Sequence, residues 1–245
     1  DEVILHGLIV RPYSILIAHF RNSTRLLEHP VFRYTVLIPT HTMPSLWSPE
    51  TDTHITAKYT QKTLDQKVRN KSALQKELGW PVESKRAMVC LPMGMSDALG
   101  GKALQTMLPG LFTQSMELLI LGKGSKEYGT VFTQLQKEHG HRVAILPVSE
   151  VSVHKILAAS DIALFLADVT DSAEVQACLT YGVVPVAPET KSLENYDPVQ
   201  ERGTGFLYTA GNSPEESAWS AFAALARALE TFKFPFDWRT IQRQC

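Results

Sequence analysis

The sequence predicts an α/β domain built on a parallel sheet with helices on both faces, and two observations carry this prediction. From about residue 87 onward, short continuous apolar runs such as AMVCLPM, MELLILGKG and RVAILPV alternate with segments of helical periodicity. Continuous apolar runs are typical of strands buried on both faces, and the helices between them are the crossovers that a parallel sheet needs. We therefore expect a Rossmann-like domain over residues 75–232, with its ligand site at the carboxyl ends of the strands.

The elements of this domain follow in order along the chain. A short helix over NKSALQKELGW ends at Gly79, and AMVCLPM is the first strand. Then come the helix KALQTMLPGLF, the strand MELLILGKG, the helix EYGTVFTQLQKEHG and the strand RVAILPV. The helix EVSVHKILAAS, the strand DIALFLAD, the helix DSAEVQACLTYG and the strands GVVPVAP and GTGFLY follow. The last helix of the domain, SPEESAWSAFAALARALETF, has one apolar face and begins with Ser213 as N-cap before Pro214.

The segments outside this domain differ from it in their pattern of apolar and polar residues. Residues 1–45 alternate short apolar runs with Pro and Arg, which predicts short strands joined by loops. Residues 47–71 have too few apolar side chains for a core element, so we interpret the stretch 46–74 as a surface linker. Residues 233–245 form a C-terminal tail with a helix.

Composition and charge exclude several classes of protein. With 24 Lys and Arg against 25 Asp and Glu, the chain lacks the strong basic excess of a nucleic-acid-binding protein. No apolar run approaches the ~18 residues that span a bilayer. The three cysteines, Cys90, Cys178 and Cys245, are widely spaced, which favours reduced thiols and an intracellular protein, in the cytoplasm or in a mitochondrion or plastid. The chain begins without a Met, so we expect a processing site or the edge of a longer chain there.

A set of segments in fixed order resembles one enzyme family. LWSPETDTHITAKYT, NKSALQKELGWPV, LLILGKGSKEY, VHKILAASDIALF, LTYGVVPV, GTGFLY and WRTIQRQ are similar to the C-terminal half of bacterial glycogen synthases and plastid starch synthases. The resemblance covers residue 46 to the C-terminus. It implies the GT-B fold and transfer of glucose from ADP-glucose to an α-1,4-glucan. Residues 1–45 resemble the end of the family's N-terminal domain, and the alternative is that they form an extension.

The loop after the first strand departs from the family pattern. The family has Ser-Arg-x-x-x-Gln-Lys-Gly there, whose Arg and Lys bind the diphosphate of the donor. In this chain Gly94 stands at the Arg position, Leu99 at the Lys position and Asp97 between them. Because stabilising the departing diphosphate is the main task of such a site, the loss of both cations predicts loss of transfer. Lys102, three residues beyond the Lys position, is a weak replacement candidate.

Three further donor contacts also differ from the family pattern. The family's Glu-Pro-Cys-Gly-Leu-Thr-Gln motif is replaced by a segment in which Asp171 and Glu174 are weak candidates for the carboxylate. Their alternative role is to favour the dipole at a helix N-terminus. The family's Thr-Gly-Gly-Leu turn becomes residues 190–193, TKSL, and its adenine-stacking aromatic becomes Val148.

Some features of the family remain. Gly122, Lys123 and Gly124 keep the strand-to-helix turn and are candidates for residual binding of an anion or nucleotide sugar, although such a turn also serves chain reversal alone. The eight histidines show no metal-ligand spacing, so we expect no metal and no cofactor.

These observations favour a catalytically inactive glycogen/starch synthase-like domain that acts as a structural or interaction subunit of a larger assembly. The alternatives are an active ADP- or UDP-glucose α-1,4-glucosyltransferase that works with an N-terminal half, and a non-catalytic glucan-binding module. We expect protein partners, no membrane span and no nucleic acid, and regard nucleotide sugar or α-glucan as less favoured ligands. Candidates for the interaction surface are Trp47, Trp80, Phe234, Phe236 and Trp238, for each of which core packing is the alternative.

Overall fold

The computed structural model describes Val3–Leu5, Leu8–Val10 and residues 47–245. The chain divides into two units, residues 1–42 and residues 43–245. In the first unit, strands β1 (Val3–Leu5) and β2 (Leu8–Val10) pair antiparallel. The strands and loops predicted for residues 11–45 lie outside the described residues.

The second unit contains a six-stranded parallel sheet, which confirms the predicted fold class. Its strands lie in the spatial order β5-β4-β3-β6-β7-β8, and every neighbouring pair is parallel. The order reverses beside β3, so the carboxyl ends of β3 and β6 are where this fold places a ligand. The strands are β3 (Ala87–Leu91), β4 (Met116–Leu121), β5 (Val143–Leu146), β6 (Ile162–Leu164), β7 (Val184–Pro188) and β8 (Phe206–Tyr208).

Helices cover both faces of this sheet. Val89 of β3 joins a core with α2, α3, α6 and α7, whereas its neighbours Met88 and Cys90 join a second core with α1, α4 and α5. This alternation follows from the period of two in a strand, and burial on both faces explains why the strands are continuous apolar runs. The helices are α1 (Lys67–Glu77), α2 (Gly101–Leu111), α3 (Lys126–Glu138), α4 (Glu150–Ala159), α5 (Ala173–Thr180), α6 (Pro214–Phe232) and α7 (Pro235–Gln244).

The last long helix begins as predicted. Ser213 is the N-cap of α6, its Oγ accepts a hydrogen bond from the backbone N–H of Glu216 at 3.1 Å, and Pro214 is the first helical residue. No helix in the described ranges is long and apolar enough to cross a membrane.

The polar stretch 47–71 differs from its predicted role as a surface linker. It packs against the second core, and α1 starts within it. Lys67 Nζ donates to the carbonyl of Leu157 in the last turn of α4 at 2.7 Å, and Lys71 Nζ lies 2.6 Å from Asp161 Oδ2. Both lysines are buried, and their burial is tolerated because each ammonium group has hydrogen-bond acceptors.

Candidate functional site at the carboxyl edge of the sheet

The edge of the sheet formed by the carboxyl ends of β3 and β6 carries a shallow depression. Its lining comes from the loop after β3 and from the end of β6 with the loop that follows. No lining residue is charged, so the depression offers no cation to a phosphate group. The lining consists of Met93, Gly94, Met95, Leu99, Leu164, Phe165, Leu166, Ala167 and Val169.

The loops after β3 and β4 are bonded to each other through their backbones. The N–H of Met95 donates to Lys123 O at 3.0 Å, and the N–H of Ser125 donates to Met95 O at 3.0 Å. Gly94 has φ +69°, and a Cβ built on it would lie 1.9 Å from Lys123 O. Gly124 has φ +124°, and its Cβ would lie 1.8 Å from Met95 O. Only glycine fits at these two positions, because any side chain would strike a carbonyl of the facing loop.

A carboxylate and a phenol lie at the start of α2, where the fold would present backbone amides to an anion. Tyr128 OH donates to Asp97 Oδ1 at 2.6 Å, and burial, together with this bond, raises the pKa of Tyr128 to about 12. The same ring fills the space beside Gly101, where a Cβ would lie 2.1 Å from its Cζ. Lys102, the candidate replacement cation, has an exposed side chain in the first turn of α2.

The turn of Gly122, Lys123 and Gly124 already uses most of its amides. An anion-binding turn needs backbone N–H groups free to point at the ligand. Here two of the three are already used: Gly122 N–H donates to Leu146 O (2.8 Å) and Lys123 N–H to Leu121 O (2.7 Å). The N–H of Ser125, the residue after the turn, donates to Met95 O (3.0 Å). The Lys123 side chain is exposed and is the remaining group of this turn that offers positive charge.

The loop after β6 holds the two carboxylate candidates. Asp171 is exposed and has φ +57°, one residue before the N-cap of α5, Ser172. Glu174 lies in the first turn of α5 and accepts a hydrogen bond from Ser172 Oγ at 3.0 Å. Nearby, Asp168 Oδ1 accepts two hydrogen bonds, from Thr170 Oγ1 at 2.7 Å and from Thr170 N–H at 2.9 Å, and these bonds lower the pKa of Asp168. Because Glu174 lies in the first turn of α5, its carboxylate interacts favourably with the helix dipole there, which is the alternative role given above.

The aromatic surface candidates separate into buried and exposed residues. Trp80 and Trp238 are 5% and 4% exposed and belong to the two cores, so the surface role proposed for them is corrected to core packing. Trp47 is partly buried against the second core. Phe234 and Phe236, at the start of α7, are 60% and 69% exposed. Helical spacing and composition alone do not distinguish these two groups.

Sequence reasoning missed a buried polar cluster beside α4. Asp52 Oδ2 lies 2.7 Å from His154 Nδ1 and accepts a hydrogen bond from Tyr181 OH at 2.6 Å. The sequence indicated only that His154 belongs to a helix. Asp52, His154 and Tyr181 all lie in segments that pack against the core. Because they are far apart in the sequence, the sequence alone does not show that they are in contact.

Comparison with known proteins shows what this chain is related to. The sequence is 32% identical over 205 residues to the glycogen synthase of Koribacter versatilis and 28% identical over 207 residues to that of Bacillus cereus. The chain is homologous to bacterial glycogen synthases. The matches cover 81% and 82% of this chain but only 41% and 42% of those relatives, so the chain spans less than half of a glycogen synthase. No protein-family model matches it.

The fold agrees with this homology. The catalytic domain of starch synthase IV from Arabidopsis thaliana, solved bound to ADP and acarbose, superposes with a TM-score of 0.68 at 21% identity, covering 81% of this chain and 42% of that one. The chain therefore has the fold of the C-terminal half of a GT-B glycosyltransferase. Both the predicted resemblance and the predicted fold are confirmed.

Proposed function

We propose that this glycogen/starch synthase-like domain does not transfer glucose and serves as a structural or interaction subunit of a larger assembly. The observation that carries the first part is the closed loop after β3. The resemblance implies that position 94 corresponds to the diphosphate-binding Arg of the family. In this chain the backbone of position 94 faces Lys123 O at a distance that no side chain tolerates. An arginine at position 94 therefore requires a different path of the loop.

Charge supports the same proposal. A departing nucleoside diphosphate carries two to three negative charges that must be stabilised as they develop. The depression is lined by uncharged residues, Leu99 stands at the family's Lys position, and Asp97 adds a carboxylate beside it. Each lost group of this kind costs on the order of 10² to 10³ in rate, so the two together lower the rate by a factor on the order of 10⁴ to 10⁶.

Exposed aromatic side chains support the interaction role. Phe234 and Phe236 lie at the first turn of α7 with more than half of each side chain exposed. Phe234 and Phe236 are two residues apart at the start of one helix, and large exposed apolar side chains that lie close together mark surfaces that bind other proteins. Trp219, near the opposite end of α6, is also 54% exposed.

The test of inactivity measures ADP-glucose binding and glucose transfer in the same preparation. The full natural protein, with its N-terminal half added where that is a separate chain, is incubated with labelled ADP-glucose and glycogen, and ADP binding is measured by calorimetry. We expect no incorporation above background. Incorporation that disappears in Asp171→Asn or Glu174→Gln would overturn the proposal and establish the glucosyltransferase alternative.

A designed variant sharpens this test. Leu99→Lys is sterically open, because Leu99 is only partly buried, and combined with Asp97→Asn it changes the local charge by two in favour of an anion. We expect the double variant to bind ADP more tightly than the natural protein and still to transfer no glucose. Lys123→Ala is the matched change in the opposite direction.

The interaction role has its own measurement. The native protein in gentle cell lysate should migrate on gel filtration in a stoichiometric complex much larger than its own monomer, with mass spectrometry identifying the co-migrating proteins. Phe234→Ser with Phe236→Ser should release it, whereas Val199→Ser, at a residue 90% exposed before β8, should not. Migration as a free monomer would contradict the proposal, and retention on a glycogen column would favour the glucan-binding module.

A further inference from the structure

Three metal-ligating side chains converge where residues 52–54 pack against α4. His54, Glu150 and His154 each present one ligand atom, and the three atoms lie within 4.8 Å of one another. Glu150 and His154 are four residues apart on α4, so they share one face of the helix. Among residues 47–245 this is the group of His, Cys, Asp and Glu side chains with such spacing.

The orientation of the His154 ring is fixed by hydrogen bonds. Its Nδ1 lies 2.7 Å from Asp52 Oδ2 and 3.0 Å from Tyr181 OH. Tyr181 has one hydroxyl proton, and it goes to the same Asp52 oxygen at 2.6 Å. The proton between His154 and Asp52 therefore belongs to Nδ1, which donates it to the carboxylate. In the neutral ring this leaves a lone pair on Nε2.

That Nε2 has no hydrogen-bond partner among the described residues. The atom is buried, and the side chain of His154 is 7% exposed. Buried polar atoms are almost always hydrogen-bonded, so a buried nitrogen with a free lone pair needs an explanation. It points toward Glu150, whose Oε1 lies 3.9 Å away.

The carboxylate behind the ring completes a pattern seen in metal sites. A histidine that ligates a metal usually donates its other N–H to a carboxylate, which orients the ring and increases its basicity. Asp52 does this for His154, and its other oxygen, Oδ1, accepts the backbone N–H of His54 at 2.7 Å. One buried carboxylate thus holds both histidines in place.

From this geometry we propose that His54, Glu150 and His154 bind a divalent transition-metal ion, with Zn²⁺ as the best match. Two imidazoles and one carboxylate suit zinc and its neighbours rather than Ca²⁺ or Mg²⁺, which prefer oxygen ligands. Bonds of ~2.0–2.1 Å in a tetrahedral site separate ligand atoms by about 3.3 Å, so the exposed Glu150 carboxylate needs only a small rotamer change. The ion would tie the segment around His54 to α4, with its fourth position open to water.

The test uses the untagged full-length protein and Zn²⁺ itself. Elemental analysis after dialysis and calorimetric titration against a competing chelator should give one Zn²⁺ per chain, and Mg²⁺ should not compete. Co²⁺ substitution should give the absorption bands of a tetrahedral nitrogen-oxygen site. Added Zn²⁺ should raise the unfolding temperature of the natural protein.

The variants address exposed ligands first, because His154 is buried and its loss risks the fold. His54→Ala and Glu150→Gln should each weaken Zn²⁺ binding at least tenfold, and Asp52→Asn should weaken it about 10- to 100-fold, the range for a residue that orients a ligand. His141→Ala, at an exposed histidine, is the matched control and should bind as the natural protein does. Absence of stoichiometric Zn²⁺, or unchanged affinity in the combined His54→Ala, Glu150→Gln variant, would overturn the proposal.

Discussion

Glu117 provides the sharpest test of the energetics of this fold. It lies in β4 and is 0% exposed, and both of its carboxylate oxygens accept from Gln75 Nε2, at 2.8 Å and 2.9 Å. Burial raises the pKa of Glu117 from 4.5 to about 7, although the bond from Gln75 opposes the rise. The folded protein therefore holds this proton over a pH range in which the unfolded chain has released it.

The sign of the effect on stability follows from that difference. Between pH 4.5 and about 7 the folded state binds more protons than the unfolded state, so the free energy of unfolding falls as pH rises. The stabilising contribution is complete below the unfolded pKa and is lost as pH passes the folded pKa. Integrated from pH 5 to pH 8, the loss amounts to about 2.5 kcal/mol.

Urea unfolding at intervals from pH 5 to pH 8 measures this loss in the natural protein and in Glu117→Gln. Other groups titrate in the same range, so the difference between the two profiles is the relevant quantity. We expect the natural protein to lose about 2.5 kcal/mol relative to the variant across this range. Profiles that stay parallel to within about 0.5 kcal/mol would show that the Glu117 carboxylate has the same pKa in the folded and unfolded states, and would refute the argument from its burial.

Four further substitutions test the packing by the same unfolding measurement at neutral pH. Gly94→Ala should destabilise the protein by at least about 2 kcal/mol, because residue 94 has a positive φ and the new methyl would meet the carbonyl of Lys123. Gly129→Ala places a methyl with no atom within 4 Å, so it should stabilise α3 by up to about 1 kcal/mol. Lys71→Ala should cost about 3–5 kcal/mol because it leaves Asp161 buried without its 2.6 Å partner. Ser213→Ala should cost about 1 kcal/mol through the lost N-cap of α6, which helical content near the start of that helix would also report. A Gly94→Ala protein as stable as the natural one would mean that the loops after β3 and β4 separate freely, and equal effects at Gly94 and Gly129 would refute the steric argument.

The sequence predicted the sheet well because the signal for buried strands is local. A run such as RVAILPV needs no knowledge of its neighbours to indicate β5, and the helix that begins at Ser213 carries its cap and its proline in adjacent positions. Homology added what local patterns lack, namely the GT-B arrangement of the elements. Neither source distinguished the exposed Phe236 from the buried Trp238, two residues apart on α7.

Segment 47–71 was misread because its burial depends on partners far away in sequence. Burial of Lys71 is tolerated because Asp161 Oδ2 lies 2.6 Å from its Nζ. Burial of Asp52 is tolerated because His154 and Tyr181 form hydrogen bonds with its carboxylate. A polar segment is usually exposed when its side chains have no buried partner. The composition of the segment does not show whether such a partner exists some 90 residues further along the chain, as Asp161 does for Lys71. The same long separation hides the proximity of His54 and His154, so a search of the sequence for metal-ligand spacing passes over them.

At the carboxyl edge of the sheet, the sequence and the structure give two independent pieces of evidence about the loop after β3. The resemblance implies that Gly94 and Leu99 stand where the family has an Arg and a Lys, and a substitution of that kind is reversible in principle. The backbone says more, because the loop after β3 is bonded through Met95 to the loop after β4 and leaves no space for a Cβ at Gly94. Restoring a lysine at position 99 meets no such obstacle. Gly94→Arg alone should therefore destabilise the protein without restoring ADP binding, and tighter ADP binding by that single variant would show that the loop retains the path of an active enzyme.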